Sequence, residues 1–297
     1  MWKPVLRALM LAALPGMAAA AAPALTATAT IVEGEAVLVR DATAFGLVEG
    51  VRLRSDDIVH TDPKGRFVRL ELNDGTTVDL APGARLMIGA RLGRRTVPLY
   101  LLDGAVKLTL PNTRRVGVVL SSPRIELTDV AKGVVLLVSD TQTAVFAESG
   151  AATLVERADG EAQGAQTLRS GQFYQRSGDA KAQVSNRPTG PFIQQLPKAF
   201  LDTLPRRMDL FKGRDVPPRT LDEPGYDLLQ PWIDAEAALR PGFVKRWRTL
   251  ARNPDFRAGL VAGIANHPEW DRTLFPEKYR PKPRPAETAA PASRPTP

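Results

Sequence analysis

The sequence predicts an α+β protein in which an N-terminal all-β roll or short β-solenoid is followed by a small α-helical domain. Three observations predict it. Between Pro23 and Arg187 there are six prolines and sixteen glycines, whereas from Pro188 onward there are eighteen prolines and six glycines. Before that change, short β-branched runs are bounded by Gly, Pro, Asn or Asp, the punctuation of strands and turns. After it, apolar residues recur every three or four positions and prolines stand where helices begin. The organisation that follows is a leader over 1–24, a β domain over 25–185, a helical domain over 190–279 and a proline-rich disordered tail over 280–297. Such a length suits one or two domains, each with a core of its own.

In the leader, Lys3 and Arg7 precede the mostly apolar run Ala8 to Leu14, and the small residues Ala18 to Ala22 lead into Pro23. That is the layout of a secretory signal. Pro15 and Gly16 interrupt the run, which is shorter than the roughly 20 residues a spanning helix needs. Cleavage near Ala20 to Ala24 and export to the periplasm are therefore expected. The longest later apolar run, Val134 to Val138, is the length of a strand, so no stable transmembrane anchor is expected.

Strands are expected at Thr30 to Arg40, Phe67 to Leu72, Thr77 to Leu80, Val97 to Leu102, Ala105 to Leu110, Val116 to Leu120, Val134 to Ser139, Thr143 to Ala147 and Thr153 to Glu156. In Phe67 to Leu72 and Val106 to Leu110 polar and apolar residues alternate, which predicts one buried and one wet face. Gly75, Gly104 and Gly133 stand 29 residues apart, each opening a strand-like run. A repeated turn-then-strand unit buries its apolar face only against a neighbour, which favours stacked β layers.

Beyond Gly190 the period changes. Phe200, Leu201 and Leu204 fall together after Pro197, and Pro231 begins a segment with Trp232, Ala235, Ala238 and Leu239 on one side. Pro241 ends one helix and starts another, whose stripe is Phe243, Trp247, Leu250 and Ala251. Asn253-Pro254 supplies an N-cap and first-turn proline for a helix carrying Phe256, Leu260, Val261 and Ile264. Trp232, Trp247 and Trp270 are read as core, the alternative being a stacking platform for sugar rings or a hydrophobic groove for a partner helix. Arg280-Pro281-Lys282-Pro283-Arg284-Pro285 opens a tail that favours polyproline II and offers no apolar face.

Several pieces in fixed order resemble the FecR-like domain family. They are Ala36-Val37-Leu38-Val39-Arg40, Leu47 to Leu53, Asp57-Ile58-Val59-His60-Thr61, Gly65 to Leu72 and Asp74-Gly75-Thr76-Thr77-Val78-Asp79-Leu80. Leu86-Met87-Ile88, Leu102 to Leu108 and Ser122-Pro123 followed by Gly133 look like the second half of that domain. The similarity runs over Thr30 to Ser177. It implies an all-β, extracytoplasmic, non-enzymatic protein. The best-known members relay a signal from an outer-membrane receptor to a sigma factor through a cytoplasmic segment and a membrane helix, neither of which is expected here. The resemblance transfers no binding residues.

Composition narrows the chemistry. With no cysteine, thiol nucleophiles, disulfides and thiolate metal sites are excluded, and two histidines leave little for an imidazole-ligated metal or a proton shuttle. No metal and no cofactor are expected. His60 beside a turn and His267 before Pro268 are read as structural. Asp56 with Asp57, Asp222 with Glu223, and Asp255 with Glu269 are arithmetical candidates for paired-carboxylate hydrolysis, but capping and the helix dipole account for such residues at turns and helix starts. Gly89-Ala90-Arg91-Leu92-Gly93 lacks the lysine and hydroxyl of a phosphate cradle.

Removing Lys3 and Arg7 lowers the net charge from +8 to +6, spread over pairs such as Arg94-Arg95, Arg114-Arg115 and Arg206-Arg207, so nucleic acid is not an expected partner. The expected role is a regulatory or scaffolding interaction module of the cell envelope, its partner an envelope or outer-membrane protein. The alternative is a binding module for cell-wall glycan or another envelope polysaccharide. Oligomeric state does not follow from the sequence.

Overall fold

The computed structural model describes residues 25–89, 96–112, 117–158 and 161–280. The leader over 1–24, the tail beyond Arg280, the Arg94-Arg95 and Arg114-Arg115 pairs and most of the Gly89–Gly93 loop lie outside them.

The expected strand over Thr30 to Arg40 is two strands, because the chain turns at Gly34 with φ +108° and the Gly65 backbone presses against it. In chain order the strands are β1 (Leu25–Glu33), β2 (Ala36–Arg40), β3 (Thr43–Gly46), β4 (Arg52–Arg54), β5 (Ile58–Thr61), β6 (Phe67–Leu72), β7 (Thr77–Leu80), β8 (Arg85–Ile88) and β9 (Thr96–Thr109). They continue with β10 (Gly117–Ser121), β11 (Ile125–Thr128), β12 (Gly133–Val138), β13 (Gln142–Ser149), β14 (Ala152–Ala158), β15 (Glu161–Leu168), β16 (Phe173–Ser177), β17 (Gln183–Ser185) and β18 (Arg219–Thr220).

These strands form one hydrogen-bonded ladder that folds back on itself into two layers at β9. The second half of β9 lies between β7 and β12 in a first sheet of order β4-β1-β6-β7-β9-β12-β13-β16-β17. Its first half lies between β8 and β10 in a second sheet of order β18-β3-β2-β5-β8-β9-β10-β11-β14-β15. The corner is Gly104, at φ +93°, where a Cβ would stand 2.5 Å from Ala84 Cα, so only glycine lets the strand cross between layers. Between the layers the inward residues Leu38, Val59, Leu86 and Leu99 meet Leu70, Val78, Val106 and Leu136.

This architecture corrects the expected fold class in two respects. Every strand pairing but β9 with β10 is antiparallel, so the units opened by Gly75, Gly104 and Gly133 are not coils of a solenoid. Their strands β7, β9 and β12 lie side by side in one sheet, and the three glycines do different work: a hairpin turn, the corner of β9 and a strand start.

The second correction concerns the helices. They are α1 (Gly190–Gln195), α2 (Lys198–Leu201), α3 (Tyr226–Ile233), α4 (Arg240–Trp247), α5 (Pro254–Ala262) and α6 (Asp271–Leu274). Helices this short are marginal alone and need a surface to pack on. The sheet provides it, so these segments do not stand apart as a helical unit after an all-β roll. Phe192, Leu196 and Phe200 cover Ala105, Val135, Leu137, Ala144 and Phe173 on the outer face of the first sheet. Trp232, Phe243, Trp247, Leu260 and Trp270 form a cluster with Val39, Ile58 and Tyr100 on the outer face of the second. Even β18 is a piece of the C-terminal third, added as an edge strand beside β3.

The wrap explains why β6 and β12 are buried along their whole length. Val134, Leu136 and Val138 point into the sandwich, while Val135 and Leu137 point out to the phenylalanines. The faces of β6 and β9 expected to be wet are likewise covered, with Arg69, Glu71 and Lys107 all buried. Local start signals hold in part. Asn253 caps α5 by accepting from the Asp255 and Phe256 amides, and Pro241 opens α4, but Pro231 lies inside α3, which begins at Tyr226.

Candidate interaction clefts

On the outer face of the first sheet, charged side chains at alternate positions of β6, β7 and β9 meet the main chain of residues 200–208. Arg69 holds Asp79 through two bonds of 2.6 and 2.7 Å and donates to the Leu204 carbonyl at 3.1 Å. Burial pushes the Asp79 carboxyl up from its ordinary range, and Arg69 opposes that shift. Glu71, fully buried, accepts from Thr30 Oγ1 at 2.8 Å and from the Arg207 and Met208 amides. Lys107 donates to the Phe200 carbonyl at 2.6 Å and to Glu148 at 2.9 Å. These groups fasten an extended chain across the sheet and satisfy its backbone.

Beside this clasp lies a groove of about 580 Å³. Its rim carries the exposed cations Lys132 and Arg206 and the exposed carboxylate Asp202, Glu148 beside them is paired with Lys107, and hydroxyls come from Thr77, Thr109, Ser149 and Thr203. The backbone positions the cations: the Leu110 amide bonds the Lys132 carbonyl at 2.7 Å, and Arg206 lies over Gly75, where any side chain would collide with its guanidinium. A second cleft of about 670 Å³ opens where the end of α3 meets β9, β14 and β16. Its charges are mixed, with Arg124, Arg157 and Arg176 interleaved among Asp103, Asp140, Asp179, Asp234 and Glu236.

The residues singled out in the sequence are engaged elsewhere. His60 accepts a 2.7 Å bond from Trp232 Nε1, and burial, with the Arg85 cation adding, pushes its imidazole down to about 3. His267 is fully buried, with Nδ1 2.6 Å from Asp234 and Nε2 3.0 Å from the Leu260 carbonyl. Asp57 receives two bonds from Arg40 and one from the Arg54 amide. Asp56, at φ +68°, offers its carbonyl to Arg246, which also caps the Val39 and Asp41 carbonyls. Asp222 is exposed, Glu223 beside it accepts from Asn253, Asp255 sits in the first turn of α5, and Glu269 pairs with Arg240 at 3.1 Å.

Trp232, Trp247 and Trp270 have no exposed surface, which removes the sugar-stacking platform and leaves the core reading. The clefts themselves were missed in the sequence. Their one local signal is the charged alternation in β6, which marked the face that receives the C-terminal chain.

No family model matches the chain, and no curated protein matches it. Two solved crystal structures resemble part of it. Both are of a candidate anti-sigma factor from Parabacteroides distasonis, at 11% and 12% identity with TM-scores of 0.38 and 0.37. Each match covers 44% of this chain and 59% of the other, so this chain spans about three fifths of their length. Among the described residues no helix is long and apolar enough to cross a membrane.

Proposed function

We propose that the chain is a non-enzymatic, exported FecR-like protein that works in the periplasm by binding, as a regulatory or scaffolding module. The observation that carries this reading is the use of the reactive side chains. Both histidines and the acidic candidates Asp57 and Glu269 hold the fold together, while the open surfaces are clefts with charged rims suited to contact. A second reading, recognition of an acidic envelope polysaccharide, is favoured by the groove in which Lys132 and Arg206 flank four hydroxyls.

One experiment separates them: affinity capture from envelope fractions with the wild-type chain and with Lys132→Glu/Arg206→Glu. Recovery of one defined membrane protein, unaffected by the double substitution, supports the scaffold. Retention on a purified acidic polysaccharide that the double substitution abolishes supports the second reading. Turnover of a muropeptide or glycan by the purified chain refutes both, and recovery of the chain from cytosol with residues 1–24 attached refutes the export.

A further inference from the structure

The ends of the two sheets are treated unequally. Three are short: β4 and β17 have three residues each and β18 has two. The β4 end is also overlaid by the C-terminal chain, through the Val51–Val216 bridge and a bond from Arg52 to the Arg214 carbonyl. The fourth end, β15, is eight residues long and, among the described residues, pairs only with β14. Its register with β14 is unbroken from Gly164 to Leu168, the extra residue Gln163 being taken up in a bulge. Glu161 to Ala165 and Thr167 are exposed. A long edge usually carries lysine, proline or an inward charge as protection against pairing. Residues 162–168, Ala-Gln-Gly-Ala-Gln-Thr-Leu, contain none of these, and the one other protective device, the bulge, is confined to Gln163 near the start of the strand.

From this edge we infer a self-association site: β15 of one copy pairs antiparallel with β15 of a second copy about a two-fold axis at Ala165, continuing the second sheet across the dimer. Charge selects this occupant and this register. Two-fold antiparallel pairing centred on Ala165 sets Gly164 opposite Gln166 of the other copy and, beyond the bulge at Gln163, brings Glu161 to the end of the pair where Arg169 of the other copy lies. The same neutral stretch then faces itself with no like charges meeting, and two Glu–Arg pairs close its ends. Both Glu161 and Arg169 are exposed. The contact is a single strand pair, at the small end of protein interfaces, so the dimer is reversible and favoured by concentration.

The chain has no cysteine, so single introduced cysteines report the register directly. Under mild oxidation Ala165→Cys cross-links to its own copy, and Gly164→Cys, where an added side chain meets nothing within 4 Å, cross-links to Gln166→Cys in a mixture. Thr203→Cys, exposed on another face, does not. In sedimentation dilution series Arg169→Glu raises the dimer dissociation constant about 3- to 30-fold, and Glu161→Arg/Arg169→Glu restores it. Ala165→Lys/Thr167→Lys is monomeric throughout while its circular dichroism matches wild type.

A wild-type chain that stays monomeric at its highest soluble concentration overturns the inference, including the case where β15 accepts an extended peptide of another protein instead. So does a dimer in which the Thr203→Cys variant cross-links and the Ala165→Cys variant does not. These readouts are independent of whether the clefts bind protein or polysaccharide.

Discussion

Lowering the pH from 7.5 to 5.0 should destabilise the wild-type protein by about 2 kcal/mol more than it destabilises His60→Gln. His60 is buried on β5 beneath Trp232, Tyr100 lies against the same indole, and Arg85 is the charge that acts on the ring. Its imidazole is held at about 3 in the fold, against 6.5 ordinarily. The unfolded chain therefore takes up the proton first. The stabilisation is complete above about pH 6.5 and drains away as pH falls toward 3.

Each pH unit inside that window is worth about 1.4 kcal/mol, so pH 5.0 lies about 2 kcal/mol down the slope. In His60→Gln the amide oxygen accepts the Trp232 N–H and nothing titrates at that site, while every other titrating group is common to both proteins and cancels in the comparison. Urea unfolding followed by tryptophan fluorescence reads the difference, since Trp232, Trp247 and Trp270 are all buried. Parallel stability-against-pH curves for the two proteins would refute the argument.

Two further outcomes test the fold. A fragment ending at Arg187 uncovers Val39, Ile58, Tyr100, Val135 and Leu137, and is expected to bind a hydrophobic dye and aggregate. A soluble fragment with wild-type near-ultraviolet dichroism would contradict the wrapped architecture. Gly104→Ala forces a Cβ against Ala84 at a left-handed backbone angle and should cost about 2–4 kcal/mol, measured by denaturant unfolding. A loss below about 1 kcal/mol is inconsistent with a rigid corner in β9.

Local features were readable in the sequence to the extent that local chemistry determines them. Alternation in Phe67 to Leu72 placed Val68, Leu70 and Leu72 in the core, and the Asn253-Pro254 cap stands where the residue types put it. The destination of a surface was not readable. An apolar stripe on a short helix says that it will be buried but not against what, so Trp232 and Phe243 read as a bundle of their own rather than as a cover for Val39 and Ile58. Arg69 and Glu71 read as wet because charge in a strand is usually solvated, and their partners lie up to 137 positions away in the chain. The run Val134 to Val138 did carry a signal of burial on both faces, since it lacks alternation. For the clefts, no local pattern could bring Lys132 and Arg206 to one groove, because only the folded path of the C-terminal third does so.

That path also sets an order of events. The indole on His60 comes from 172 positions downstream, and Arg246 reaches back 207 positions to Val39. A chain emerging N-terminus first can pair its early strands, but the first sheet keeps a bare oily side until Phe192 to Phe200 arrive, and the second until Trp232 to Leu274 do. Closure of the second sheet thus waits for segments far downstream of its strands, and such distant closures are slow to form. Until then a nascent copy is well suited to a holding chaperone and poorly suited to premature compaction.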